Sequence, residues 1–452
     1  MRKLKFAACA LLFGMISCAQ ETTLGARIDQ YLSPFVLGKN FTGAVLVSEG
    51  DKVLYDKAYG QANWSLNVPN STRTRFHIAS ISKPFTAAAI LLLAQRGRLG
   101  LDDPVSKHVP DYPRGKEITL RHLLTHTSGI KNVNDLPEYE AASRFHQTPR
   151  TLIDLFQNKP LNFDPGSRYE YSNSNYNVLA HIIEQAGGKP YGDFLRENIF
   201  VPLELRDTGH DGNAADVIPN IASGYQPRGV AELENAPYID WSAKTGNGSL
   251  YSTTSDILRF LHAYRDGKLV PKSTVDQLWT EKPGNNFGWF VRRSNGELVV
   301  STNGRSPGFT SSAEYYPARR LAVVVLSNSY SPVSQTPIAD DIAAMALGKP
   351  VSMPGRIVPV PIDPSQLQRL EGSYRFGPDF FRPNADVTLR IESGQPLLDW
   401  GNQFRTSLIP VGNGEFVDRQ FWARIRMEQD GSGFVYSTSG RDFKVRKVST
   451  LR

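Results

Sequence analysis

The sequence predicts a mixed α/β (α+β) domain with a largely helical middle, followed by a small all-β module. Three observations carry this. A stretch around Ser80 leads into a segment that is apolar on every side. Strand patterns cluster at both ends of residues 20–348. After a proline-rich stretch, the pattern changes to short alternating strands. At 452 residues the chain has room for two or three domains and a large core. Its 40% hydrophobic and 21% charged content suit a globular enzyme.

The first residues, 1–19, read as a secretory signal peptide. Arg2, Lys3 and Lys5 form the basic region and Phe6 to Ile16 the apolar one. Ser17-Cys18-Ala19 offers a small-residue cleavage site, the preferred reading, and Met15-Ile16-Ser17-Cys18 is alternatively a degenerate lipoprotein signal that would place lipid on Cys18. Either way the mature chain is expected to be periplasmic or secreted, touching a membrane only through such a lipid. Both cysteines lie in this leader, so the folded part is free of thiols and disulfides. No other apolar run is long enough to span a membrane. The net charge of +7 falls to 48 basic against 44 acidic residues, +4, without the leader. No Lys/Arg-rich run stands out, which argues for a solvated surface and against a nucleic-acid footprint.

Along the mature chain, residues 24–37 pattern as a helix, and Phe41 to Val47 and Val53 to Tyr59 as a hairpin around Glu49-Gly50-Asp51. His77-Ile78-Ala79-Ser80-Ile81-Ser82-Lys83 runs into Ala87 to Ala94, good helix formers with no polar face, which marks a buried helix ended by Gly97. Residues 148–265 are mostly helical and loop-rich. Phe287 to Val291, Ser311 to Tyr316 and the unbroken apolar run Leu321 to Leu326 supply the closing strands, and Ile338 to Leu347 a terminal helix. Prolines at 350, 354, 359, 361 and 364 make residues 349–364 a stiff linker. That linker implies few contacts between the first domain and residues 365–452, a barrel or sandwich of short strands.

Ser80 and Lys83 are three apart, on one face of a helix start. A desolvated lysine there can take the serine's proton, and free N–H groups at the helix N-terminus suit an oxyanion. Ser-x-x-Lys alone is weak: Ser128-Gly129-Ile130-Lys131 matches too, but with glycine inside and no helix after it, it reads as a loop. A second cluster, Phe163 to Asn173, holds Tyr171 and Asn173. A tyrosine near an ammonium can act as a base, and an asparagine can bond both a lysine and a substrate amide.

In order along the chain stand Ser80-Ile81-Ser82-Lys83, Leu123-Leu124-Thr125-His126-Thr127-Ser128-Gly129, Tyr171-Ser172-Asn173, Gly248 to Thr253, Pro307-Gly308-Phe309 and Val323 to Ser329. This series, over roughly residues 25–348, resembles the serine β-lactamase and penicillin-binding-protein superfamily, in its class C β-lactamase, D-alanyl-D-alanine peptidase and esterase branch. The resemblance implies an antiparallel sheet flanked by helices with a helical subdomain, no cofactor and no metal. It implies Ser80 as the acylated nucleophile, Lys83 and Tyr171 as its proton shuttle, and Asn173 as the residue orienting lysine and substrate. The substrate would be a small molecule or peptide with an amide, ester or β-lactam carbonyl, peptidoglycan among the candidates. The module after residue 365 resembles a lipocalin-like barrel opening at Leu370-Glu371-Gly372-Ser373-Tyr374, and is expected to affect substrate choice more than chemistry.

The superfamily's third element, Lys- or His-x-Gly, falls by this alignment on Thr302-Asn303-Gly304, without the cation and followed by Arg305. Lys244-Thr245-Gly246 fits the letters but lies on the wrong side of Gly248 to Thr253. The same alignment makes the backbone N–H groups of Ser80 and Arg305 the oxyanion hole. Strand alternation puts Arg305 on the face opposite Thr302, unless a bulge at Gly304 re-aims it. The missing cation implies weak action on carboxylate-bearing substrates and better turnover of uncharged or small acyl esters. A protein that acylates without turnover, or an inert scaffold, are the alternatives. Gly304-Arg305-Ser306-Pro307-Gly308 imitates a nucleophile elbow, but Pro307 lacks the N–H that motif needs. His122 and His126 have zinc-ligand spacing without the glutamate or a third ligand. Trp241, Tyr225 and Tyr238 suit a pocket lining or packing equally.

Overall fold

The computed structural model describes residues 23–281, 286–332, 336–401, 404–438 and 440–449. The leader, with Cys18 and the cleavage site, lies outside the described residues. A six-stranded antiparallel sheet forms the backbone of the first domain. Its strands are β1 (Gly43–Glu49), β2 (Lys52–Tyr59), β3 (Phe290–Ser294), β4 (Glu297–Ser306), β5 (Phe309–Tyr316) and β6 (Leu321–Ser327), in the order β3-β4-β5-β6-β1-β2.

Both faces of this sheet are covered, which is why β6 is apolar from Leu321 to Leu326. On one face Val45, Val47, Val323 and Val325 meet helices α1 (Leu24–Leu37) and α5 (Thr336–Ala346). On the other, Ala44, Leu46, Val324 and Leu326 join the large core around α2 (Ser82–Gln95), α3 (Asn173–Gly187) and α4 (Thr254–Arg265). Alternate side chains of one strand thus serve two cores. Helix α2 is buried on every side from Ser82 to Leu91. Gly97, at φ +68°, lets the chain leave it in the left-handed region.

The start of one strand and the whole of another differ from the sequence pattern. β3 starts at Phe290, because Phe287 and Gly288 both have positive φ, which strand geometry excludes. β4 is ten residues long although Ser301-Thr302-Asn303-Gly304 carries no apolar alternation; pairing with β5 holds the whole stretch, and β3 reaches it at Ser301.

Residues 349–363 have no regular structure, and a short helix, Pro364–Leu370, sends Leu367 into the second core. Eight strands, β7 (Gly372–Phe376), β8 (Asp386–Glu392), β9 (Gln395–Asp399), β10 (Arg405–Gly412), β11 (Glu415–Asp418), β12 (Ala423–Met427), β13 (Gly433–Thr438) and β14 (Arg441–Ser449), then close as β14 pairs back onto β7. Alternating residues such as Tyr374, Phe376, Leu389, Ile425 and Phe443 fill the barrel.

The expectation of few contacts between the two parts does not hold. The loop after β11 docks the barrel on the first domain. Arg419, fully buried, donates to the carbonyls of Val230 (2.9 Å) and Gly38, and Gln420 donates to Pro227 O at 2.8 Å. Ser331 donates to Gln420 O at 2.7 Å, and the Phe35 and Trp422 rings lie 4.8 Å apart. A linker's composition limits its own contacts, not those of the module at its far end.

Candidate active site

Ser80 lies in a tight 3-10 turn, Ala79–Ile81, one step before α2, so it precedes the α-helix proper. Ala79 takes φ +48°, a conformation alanine rarely adopts, directly before the serine. The turn and the first turn of α2 bring Lys83 Nζ to 2.9 Å from Ser80 Oγ. Tyr171 OH lies 3.0 Å from the same Oγ. Lys83 Nζ also donates to Asn173 Oδ1 and to the backbone carbonyl of Asn247, each at 2.9 Å.

No carboxylate pairs with Lys83 among the described residues, although the residue is 2% exposed. Burial therefore holds its ammonium well below lysine's usual range, and the positive charge of Lys244 pushes the same way. In its deprotonated form Lys83 would give its two N–H bonds to the two carbonyl-type oxygens and turn its lone pair to Ser80 Oγ. That is the geometry a base needs.

Tyr171 stands just before α3, whose first residue is Asn173. Removal from water pushes the phenol up to about 12, while the Ser80 hydrogen bond and the charge of Arg305 oppose that rise. The phenol is therefore protonated at neutral pH. His126 stacks on its ring at 4.5 Å, and the His126 Nδ1 accepts from Ser172 N at 3.2 Å. Burial takes His126 down to about 3, so it is a neutral backing for Tyr171. His122 instead uses Nδ1 to accept from Thr119 N in a helix cap.

Strand β4 runs beside the nucleophile. A Cβ on Gly304 would stand 2.7 Å from Ser80 N and would collide with Ile78 O, so only glycine lets the strand come this close. The β4–β5 register is continuous from Val300 to Ser306, so there is no bulge at Gly304. Arg305 faces the site anyway, because it shares a face with Asn303 rather than with Thr302. Arg305 lines one cavity at Ser80, Thr302, 2% exposed, lines another that Ser80 also borders together with Lys83, and Asn303 reaches both.

The motif look-alikes fall elsewhere. Ser128 is buried and donates to Asn175 Oδ1 at 2.6 Å, and Ser306 is buried at the end of β4. Lys244 is not on the strand beside the serine, but its ammonium sits 5.7 Å over the Tyr139 ring and acts on Lys83 through space. Trp241 stacks on His77 at 3.6 Å, and with Tyr238 lines a separate cavity of about 320 Å³. Tyr225 is buried, its OH accepting from Trp64 N at 2.9 Å. Sequence reasoning missed Asn132 and Asn134, which hold Asn173 by its backbone N–H (2.9 Å) and side-chain amide (2.6 Å). It also missed Asn247, whose contribution is a backbone carbonyl and leaves no side-chain signal.

Comparison with known proteins agrees with this arrangement. The beta-lactamase family model matches residues 28–347. A penicillin-binding protein of Bacillus subtilis (strain 168) is 29% identical over 431 residues, covering 89% of this chain and 94% of its own. D-amino acid amidase from Ochrobactrum anthropi SV3 superposes with a TM-score of 0.61 at 25% identity, covering 71% of this chain and 97% of the amidase. The octameric penicillin-binding protein homologue from Pyrococcus abyssi shares the fold over 93% of this chain and 99% of its own, with a TM-score of 0.61 at 23% identity. With Ser80, Lys83 and Tyr171 in mutual contact, the chain belongs to the beta-lactamase family and is an enzyme of the serine-hydrolase type.

Proposed function

We propose that the protein hydrolyses an acyl substrate through an acyl-enzyme on Ser80. The single observation that carries this is the contact set of Lys83: Ser80 Oγ, Asn173 Oδ1 and Asn247 O, each 2.9 Å away, with no carboxylate partner among the described residues. Neutral Lys83 takes the Ser80 proton as Oγ attacks the carbonyl carbon. Tyr171, still protonated, gives its proton to the departing atom, and the Lys83 ammonium restores it. Water then cleaves the ester by the reverse route. The oxyanion is held by the N–H groups of Ser80 and of Arg305, the residue after Gly304.

Thr302 can give one neutral hydrogen bond where relatives of the superfamily carry a cation, and it is turned away from Arg305. Arg305 is the charge that β4 brings to the cavity at Ser80. Esters and amides with uncharged or anionic acyl groups are the substrates this favours. Export by residues 1–19 into the periplasm or medium is part of the same proposal, as is peptidoglycan-derived material as one substrate source.

The test is steady-state hydrolysis of p-nitrophenyl acetate. Turnover in the wild type that Ser80→Ala abolishes, with Ser128→Ala and Ser306→Ala active, supports the reading. A single equivalent released without turnover identifies a protein that acylates and stops. Loss of activity in Ser306→Ala instead overturns the nucleophile.

A further inference from the structure

Ser80 stands where two cavities meet, and one of them is walled as much by the barrel as by the catalytic domain. The smaller, about 570 Å³, runs past Lys83, His126 and Thr302. The larger, about 910 Å³, passes from Ser80, Asn173 and Arg305 to barrel residues including Phe380, Trp400 and Phe421. These come from three loops at one end of the barrel, β7–β8, β9–β10 and β11–β12, the last being the loop that docks through Arg419.

The aromatic wall is continuous across the junction. The Tyr330 ring of the catalytic domain lies 6.0 Å from Phe404, Phe404 lies 5.9 Å from Phe421, and Phe421 lies 5.5 Å from Trp400. Aromatic side chains lining an open cavity, on a module locked in place by buried hydrogen bonds, mark a site for an apolar group. Charge narrows it further. No aspartate or glutamate lines this cavity among the described residues, while Arg305 and Arg382 both face it without a carboxylate partner.

A substrate at Ser80 has two arms. Tyr171, which protonates the departing atom, borders both cavities, whereas Lys83, which recharges Tyr171, borders the smaller of the two, so the leaving arm is placed on the Lys83 side. The acyl arm is left with the larger one. We propose that the barrel mouth is the acyl-arm half of the substrate site, taking an aryl or similarly bulky apolar acyl group that is neutral or anionic and rejecting one that carries an ammonium. This rests on the hydrolase reading above and names its substrate class.

Esters with one leaving group and different acyl arms test it. p-Nitrophenyl phenylacetate should show kcat/KM at least tenfold above p-nitrophenyl acetate, the gain expected from a filled apolar pocket. That ratio should fall at least tenfold in Phe381→Ala, whose ring also lines the cavity yet is 61% exposed, so that its loss leaves the barrel packed. The p-nitrophenyl ester of 4-aminomethylphenylacetic acid should react at least tenfold more slowly than the phenylacetate. Equal kcat/KM for acetate and phenylacetate, or a ratio untouched by both Phe381→Ala and Phe404→Ala, overturns the barrel subsite and leaves ester hydrolysis standing. No turnover of either ester overturns the hydrolase reading and the subsite with it.

Discussion

Gly304→Ala probes the close approach on which the proposed oxyanion site depends. Gly304 has no positive φ, so alanine brings no backbone strain there and the cost is one of space. The new Cβ would lie 2.7 Å from Ser80 N and 2.7 Å from Ser311 Oγ, with Ile78 O nearer still. Restoring an ordinary contact of about 3.5 Å to Ile78 O requires β4 or the serine turn to retreat by roughly 1.1 Å. A displacement of about that size costs on the order of 10²-fold where geometry is critical. Losing one oxyanion donor costs about 10²–10³ in kcat. The substitution should therefore lower the acylation rate by about 10²–10³, while overpacking removes only about 1–3 kcal/mol of stability. Stopped-flow release of p-nitrophenol measures the first and thermal unfolding the second. A folded Gly304→Ala protein that acylates within threefold of wild type would refute the oxyanion assignment.

Other outcomes follow from the same contacts. Lys83→Met and Tyr171→Phe should each slow acylation by roughly 10²–10⁴, and the double variant should be little worse than either, because the two share one proton path; multiplicative losses in single-turnover rates would separate them. The active form has neutral Lys83 and protonated Tyr171, so kcat/KM should rise with pH through the lowered Lys83 pKa and fall only near the Tyr171 value of about 12. Lys244→Met removes a neighbouring positive charge, raises the Lys83 pKa and should move the acidic limb to higher pH; a limb that stays put or moves down refutes that coupling. Arg419→Met orphans the carbonyls of Gly38 and Val230, at about 1–3 kcal/mol each, offset in part by no longer burying a guanidinium. Melting should fall, and deletion of residues 349–452 should expose Phe35 and destabilise the remaining domain, which scanning calorimetry reads directly.

The buried helix after Ser80 was legible because a helix apolar on all sides has one destination, the core. Strand β6 was legible for the same reason, and β1 through its hairpin with β2 around Glu49-Gly50-Asp51. Tyr171 and Asn173 stood out only through their order with other motifs, since a Tyr-x-Asn triplet has no physical signature by itself. β4 was not legible from its own residues: Ser301 to Gly304 are strand because of partners, and partners are far away in sequence. The facing of Arg305 followed from the plain alternation of the strand, with Asn303 rather than Thr302 as the reference residue. What the sequence could not display was the junction. Phe380, Trp400 and Phe421 look like barrel core in the chain, and only the docking of the loop that holds Arg419 turns that end of the barrel toward Ser80.

The central claim, a covalent acyl-enzyme on Ser80, is tested most directly by intact-protein mass after rapid acid quench of p-nitrophenyl phenylacetate turnover, followed by peptide mapping. One acyl adduct per chain is predicted, located in the peptide containing Ser80, absent in Ser80→Ala and decaying at the rate of turnover. Turnover without any adduct in a variant slowed at deacylation, or an adduct mapped to Ser128 or Ser306, would contradict it.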